Sequence, residues 1–247
     1  MRRGTGPWLR GLRQQRPQGD AYEALMRSDM EALRSPATIM KLAREQGALC
    51  EIERLTFFKS LENFDHLRSE GLVRRDTMLF INSIASVCLP REDSEYMESR
   101  WHELCRQMVI EITEEEEIDH EALEAKRHVP GFSGMFALDD YGSGFANENS
   151  LLELSPRFIK VDIAIIRGID TDPDKQQIVQ NIVAYATRAT CRSLPRAWRR
   201  RRAAQGHRAG RGCAAGLLPC KTCRRAGKMA PAARKVIAEY SSASDSG

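Results

Sequence analysis

No stretch of the chain approaches the roughly 18 consecutive apolar residues that a membrane helix requires, so a spanning segment is not expected. Aromatic residues are scarce at 6%, against an ordinary hydrophobic fraction of 42%, which points to a soluble protein. The two N-terminal arginines are followed by Gly11, Arg13, Gln14 and Gln15, not by an apolar stretch. No secretory signal is expected, and the chain is assigned to the cytoplasm. The seven cysteines are odd in number and irregularly spaced, which excludes a regular disulfide framework. Cys50, Cys88 and Cys105 sit in apolar or amphipathic context and are read as small core residues in a reducing compartment. From Arg188 onward acidic residues almost vanish, giving that segment a charge of about +13 and the rest of the chain about −9.

Within 247 residues, strands and helices alternate. That length suits a single β/α barrel as well as two small domains, and the alternation favours the barrel. Residues 1–20 carry no sustained period and stay unassigned. Ser35-Pro36 has the form of a helix start, with a capping hydroxyl and an early proline, and Ile39, Leu42 and Ala43 form the apolar face before Gly47. A longer helix follows through Ile52, Leu55, Phe58 and Leu61, up to Gly71. Apolar runs at 78–81, 108–112, 135–139 and 158–162 read as buried strands. Between them, 94–105 is helical with Tyr96, Trp101 and Leu104 inward, and 149–154 is a short helix. Asp172-Pro173 caps a last helix over 176–186, with Ile178, Ile182 and Val183 on one face. Near-continuous apolar strands separated by helices indicate a parallel sheet buried on both faces.

Polar residues at the C-terminal ends of such strands share one mouth. Glu23, Asn82, Glu111, Asp139 and Asp140 occupy those ends, and a further strand supplies Lys160. Carboxylate and amide oxygens are the ligands that hard divalent cations prefer, and a two-metal site needs several of them from different strands. An ammonium such as Lys160 can position water or offset developing charge. The reaction class suggested is phosphodiester hydrolysis. Taken singly, each residue has a plainer reading. A Glu-Ala-Leu tripeptide arises by chance in many helices, and Asp139-Asp140 could simply cap a turn. Residues 114–117 read as a solvated helix start, Glu114 excepted, and His120 and His128 as surface residues. The complete ordered set is harder to dismiss than any member.

That set resembles the EAL domain family, bacterial phosphodiesterases that act on cyclic di-GMP, over residues 22–186. Glu23-Ala24-Leu25-Met26-Arg27 is similar to the motif that names the family, and residues 35–47 resemble the helix after it. Phe80-Ile81-Asn82-Ser83, Glu111-Ile112-Thr113-Glu114 and Asp139-Asp140-Tyr141-Gly142-Ser143-Gly144-Phe145 resemble its asparagine, glutamate and paired-aspartate strands. The resemblance implies a TIM-like (β/α)8 barrel, two Mg²⁺ or Mn²⁺ ions, and hydrolysis of one phosphodiester bond to linear pGpG. It makes Glu23, Asn82, Glu111, Asp139 and Asp140 metal ligands and Arg27 a phosphate contact. Lys160 then assists the water and Glu114 steadies the loop at 142–145. A homodimer is left open.

The family's first strand is not recognisable in residues 1–20, and the motifs of its last two strands are missing from residues 187–247. The expected organisation is therefore an incomplete barrel over 21–186, followed by a basic, disordered tail. Back-translated from the third base of the Ala186 codon, the tail permits Val-Ala-Glu-Gly-Val-Glu-Thr, the family's seventh-strand motif. From the second base of the Gln205 codon it permits Gln-Gly-Tyr-Phe-Pro-Ala-Arg-Pro, the motif of the eighth. The tail is read as a frameshift product. Its Cys220-Lys221-Thr222-Cys223, beside His207 and Cys213, is then a weak zinc signal, because one CxxC has no second pair. The run Arg199-Arg200-Arg201-Arg202 would allow electrostatic nucleic-acid binding, but a shifted GC-rich gene is arginine-rich for no functional reason. Such binding is not expected. As written, the chain is expected to be inactive, with cyclic di-GMP binding without turnover as the alternative. The DNA across codons 186–228 should show two changes of frame. DNA that spells no glutamate-bearing strand in either alternate frame would rule this out.

Overall fold

The computed structural model describes residues 21–193 apart from 27, 29–32, 34, 115 and 143–147. Residues 1–20, the basic tail from 194 and Arg27 lie outside the described residues, as does most of the loop assigned to Glu114. Among the described residues are five strands: β1 (Ala21–Ala24), β2 (Met78–Asn82), β3 (Met108–Thr113), β4 (Phe136–Tyr141) and β5 (Phe158–Val161). Strand order follows chain order, and the pairs β1–β2, β2–β3 and β4–β5 are parallel. This is the expected parallel α/β arrangement of a β/α barrel. The residues fall into two compact units, one ending at Ile112 and including Glu116–Met135, the other made of Thr113–Glu115 and the chain from Phe136.

In the first unit, α1 (Pro36–Glu45) and α2 (Leu49–Ser69) follow β1, α3 (Arg91–Cys105) follows β2, and α4 (His120–Arg127) follows β3. The strand interiors consist of Leu79, Phe80, Ile81, Met108, Val109 and Ile110, all essentially buried, as apolar runs in a doubly covered sheet require. Helix α2 packs on β2 through a face that carries Glu53, Phe57, Ser60, Leu61 and Phe64. Phe64 meets Tyr22 of β1 edge-on, with centroids 5.8 Å apart. Burying each such phenyl ring contributes about 1.5–3 kcal/mol.

Several faces differ from the sequence expectation. Leu55 and Leu42 are 40% and 42% exposed. In α2 the two rings Phe57 and Phe64 bury more apolar surface than Leu55 would, and they set its rotation. Tyr96 is also exposed, and Met97 takes the inward position beside Trp101 and Leu104. Tyr96 instead stacks flat on Phe58 at 5.6 Å. Ser35 precedes α1 without a side-chain capping bond. Of Cys50, Cys88 and Cys105, only Cys105 is buried, while Cys50 is half-buried and Cys88 exposed. Burial pushes the Cys105 thiol up to about 11. His120 and His128 are surface residues, as expected.

Glu116 and Glu117 do not start a helix: α4 begins at His120, capped by Asp119, which accepts from the Ala122 N–H at 2.8 Å. Glu116 instead turns inward and accepts the Ala85 N–H at 2.6 Å.

The second unit holds α5 (Glu148–Leu154), α6 (Ile163–Ile166) and α7 (Pro173–Ser193). Asp162 follows β5 and caps α6 by accepting the Ala164 N–H at 2.6 Å. Helix α7 runs seven residues beyond the expected stop at 186. Its buried face is Val179, Ile182, Val183 and Ala186, and Ile178 is exposed.

Burial raises the Glu116 carboxyl above its ordinary 4.5, against the opposing effect of the Ala85 N–H bond. A raised folded-state value means that the fold prefers the protonated group. The contribution to stability is full below pH 4.5 and is lost as pH rises through the folded value. Glu116→Gln, whose amide oxygen can still accept from Ala85, should flatten the loss of stability above that pH. Urea midpoints between about pH 4 and 7 test this, and an unchanged slope in the variant would assign the loss to another group.

Candidate metal centre

In the first unit, three of the expected ligands are placed by strand register. Glu23 pairs with Phe80, and Asn82, the last residue of β2, pairs with Glu111. Partners in a parallel ladder point to the same face, and residues two apart on one strand share a face. Glu23, Asn82 and Glu111 therefore lie on one face of the three-stranded segment, with Asn82 and Glu111 side by side. Glu111 is 1% exposed, and Glu23 and Asn82 are half-buried. The Asn82 amide nitrogen donates to the Ala24 carbonyl at 3.3 Å, which leaves the amide oxygen as the end that can meet a cation.

In the second unit, Asp139 is buried and Lys160 donates to its Oδ2 at 2.9 Å. Burying a carboxylate is costly unless a positive charge or several donors answer it, and Lys160 provides the charge. The Asp140 N–H donates to the other Asp139 oxygen at 3.0 Å. Between Leu138 and Tyr141 the β4–β5 register slips by one residue, because Leu138 faces Ile159 but Tyr141 faces Val161. Asp140 takes a left-handed φ of 54° at that point. A bulge of this kind re-aims side chains. Adjacent aspartates in a regular strand would point to opposite faces, and the extra residue lifts that constraint.

Glu114 is buried, and its Oε2 accepts the Gly142 N–H at 2.8 Å. Gly142 has a φ of 91°, and a Cβ there would collide with Ile165. The start of the loop is thus held by a carboxylate on one side and shaped by the lack of a side chain on the other. Residues 143–145 lie outside the described residues.

These findings meet a wider likeness. The sequence matches the family model described as "EAL domain" over residues 13–194. The chain belongs to the EAL domain family. The match is wider than residues 22–186, and it closes one residue past the end of α7. A cyclic di-GMP phosphodiesterase, PdeF of Escherichia coli (strain K12), is 24% identical over 174 residues, covering 68% of this chain but 23% of that protein. The chain thus spans about a quarter of that relative. A standalone EAL protein from Vibrio cholerae O395, solved with c-di-GMP bound, is 22% identical with a TM-score of 0.53, covering 69% of this chain and 70% of that one. BlrP1 of Klebsiella pneumoniae, solved with manganese and cyclic di-GMP, is 24% identical with a TM-score of 0.52, covering 69% and 43%. At these identities the two structures establish the fold.

The donors in each unit fit a hard divalent cation: carboxylates from Glu23, Glu111 and Asp139, and an amide whose oxygen is left for coordination. A buried pair broken on one side leaves an uncompensated charge, so Lys160→Ala should lower stability by about 3–5 kcal/mol. The double variant Lys160→Ala with Asp139→Ala should recover part of that loss. Urea unfolding of the three proteins measures it, and equal losses in single and double variants would deny the coupling.

Proposed function

We propose that this EAL domain binds cyclic di-GMP with Mg²⁺ or Mn²⁺ and descends from a phosphodiesterase that opens it to linear pGpG. In this reading Glu23, Asn82, Glu111, Asp139 and Asp140 are ligands to two ions, Lys160 positions the attacking water, and Arg27 contacts a phosphate. The observation that carries it is the setting of Asp139: a buried carboxylate on a bulged strand end, paired with a lysine, in the strand that the family uses for its paired aspartates. In the first unit the carboxylates of Glu23 and Glu111 lie on one face of the sheet, which suits them to the same class of ion. Such a metal site, when filled, activates water and offsets the charge on the phosphoryl oxygens. The protein's own contribution is orientation. Asn82 presents its oxygen, Lys160 holds one aspartate and offers protons to a water, and Glu114 fixes the backbone where the loop begins.

The sequence of residues 187–247 lacks the family's last two strand motifs, one of which supplies a glutamate, and turnover depends on preorganised geometry. Binding without turnover is therefore expected of the chain as written, with hydrolysis restored when the tail is read in its alternate frames. A location in the cytoplasm, where this dinucleotide signals, is part of the same reading. Among the described residues no helix is long and apolar enough to cross a membrane.

The test is equilibrium dialysis of cyclic di-GMP with Mn²⁺, followed by chromatography for pGpG. The chain should bind saturably and release no pGpG, Asp139→Ala and Glu23→Ala should abolish binding, and the frame-corrected protein should yield pGpG. In that corrected protein, Lys160→Ala should lower kcat more than it raises KM. A folded chain with no metal-dependent binding would overturn the assignment.

A further inference from the structure

The turn that follows β2 is interior, and charged side chains hold it. The Ser83 N–H donates to the Glu111 carbonyl at 2.9 Å, extending the ladder by one bond. The Ser83 hydroxyl donates to Glu53 Oε1 at 2.5 Å, and the Ile84 N–H donates to Glu53 Oε2 at 2.9 Å. The Ala85 N–H goes to Glu116, and the Val87 carbonyl accepts from Lys126. Lys126 also reaches Glu53 Oε1 at 2.7 Å, with the two side chains 3% and 1% exposed. Ser83, Ile84 and Ala85 are themselves buried.

A buried ion pair is weak evidence for stability, because its desolvation commonly cancels its attraction and an apolar pair can serve as well. Here the pair does something an apolar pair cannot, since it satisfies three polar groups of one five-residue segment. That segment begins immediately after Asn82. The Asn82 amide has a long tether of its own, the 3.3 Å bond to Ala24, so its direction follows the backbone at 82–83.

We propose that the buried Glu53–Lys126 pair, by clamping residues 83–87, is the positioning device that aims the Asn82 amide oxygen at a divalent cation. The inference rests on Asn82 being a ligand. Glu53 and Lys126 are positioning residues that touch neither ion nor substrate. Partners of this kind typically alter metal affinity about 10–100-fold when changed.

The decisive variant is Glu53→Asp, made in the 247-residue chain. It keeps the charge beside Lys126 but shortens the arm that reaches Ser83 and Ile84. Three readouts are needed: the thermal midpoint, the Asn82 side-chain amide resonance, and Mn²⁺ affinity by titration. A positioning role shifts or broadens the Asn82 resonance and weakens Mn²⁺ about tenfold in a folded protein. In an Asn82→Ala background, the same change produces no further loss. A folded Glu53→Asp protein with an unchanged Asn82 resonance, or with an equal loss in the Asn82→Ala background, overturns the inference. Should Glu53→Asp fail to fold, Ser83→Ala removes a single donor and is read in the same way. A parent chain that takes up no Mn²⁺ would defeat the metal assignment, and the Asn82 resonance would still decide whether the pair positions that side chain.

Discussion

In a parallel ladder a slip of one residue sends every side chain to the opposite face, so the pairing of Asn82 with Glu111 governs whether a site exists on this sheet at all. The register is enforced from both sides of that pair. Leu79, Phe80 and Ile81 on β2, and Met108, Val109 and Ile110 on β3, are buried along the strands, and beyond the pair the Ser83 N–H holds the Glu111 carbonyl. Because both faces are covered, apolar burial alone does not tell one register from its neighbour. The polar residues in the C-terminal halves of the strands break that degeneracy, since a slipped Glu111 would be placed among apolar side chains.

Two buried ion pairs use the same chemistry for different ends. Lys160 and Asp139 pair at 2.9 Å on neighbouring strands β4 and β5, where the carboxylate keeps a second oxygen engaged by the Asp140 N–H. Glu53 and Lys126 pair at 2.7 Å between two helices, and both carboxylate oxygens are committed to the turn after β2. The first pair answers the charge of a buried aspartate. The second fixes backbone. Neither follows from a need for stability alone, since apolar substitutes are often as good.

Strands β2 to β5 were legible because each holds an apolar run bounded by polar residues, and the shared face of Glu23, Asn82 and Glu111 follows from where these residues stand in the strands. Helix faces were harder to read. Leu55 and Phe58 share a helical stripe as convincing as that of Phe57 and Phe64, and only the packing on β2 decides between them. The same holds for Ile178 and Val179 in α7. The bulge at Asp139-Asp140 left no composition signal, because an aspartate tolerates a left-handed φ without the glycine that usually marks one. Glu53 and Lys126 are 73 residues apart. Local hints existed, a glutamate one turn before Phe57 and a lysine beside Ala122 and Leu123 on an apolar face, but nothing in the sequence joins them.

The bulge in β4 also bears on how this chain can change by descent. Strand interiors usually tolerate exchange of side chains better than changes of length, since one lost residue reverses everything beyond it. In β4 the extra residue is already present between Leu138 and Tyr141. Loss of either aspartate would restore an even ladder, leaving Tyr141 and the backbone before Gly142 in regular pairing with β5. A deletion there would leave a well-formed strand and remove the paired aspartates in one step, so the ladder itself offers a short route from a strand with adjacent aspartates to an ordinary one.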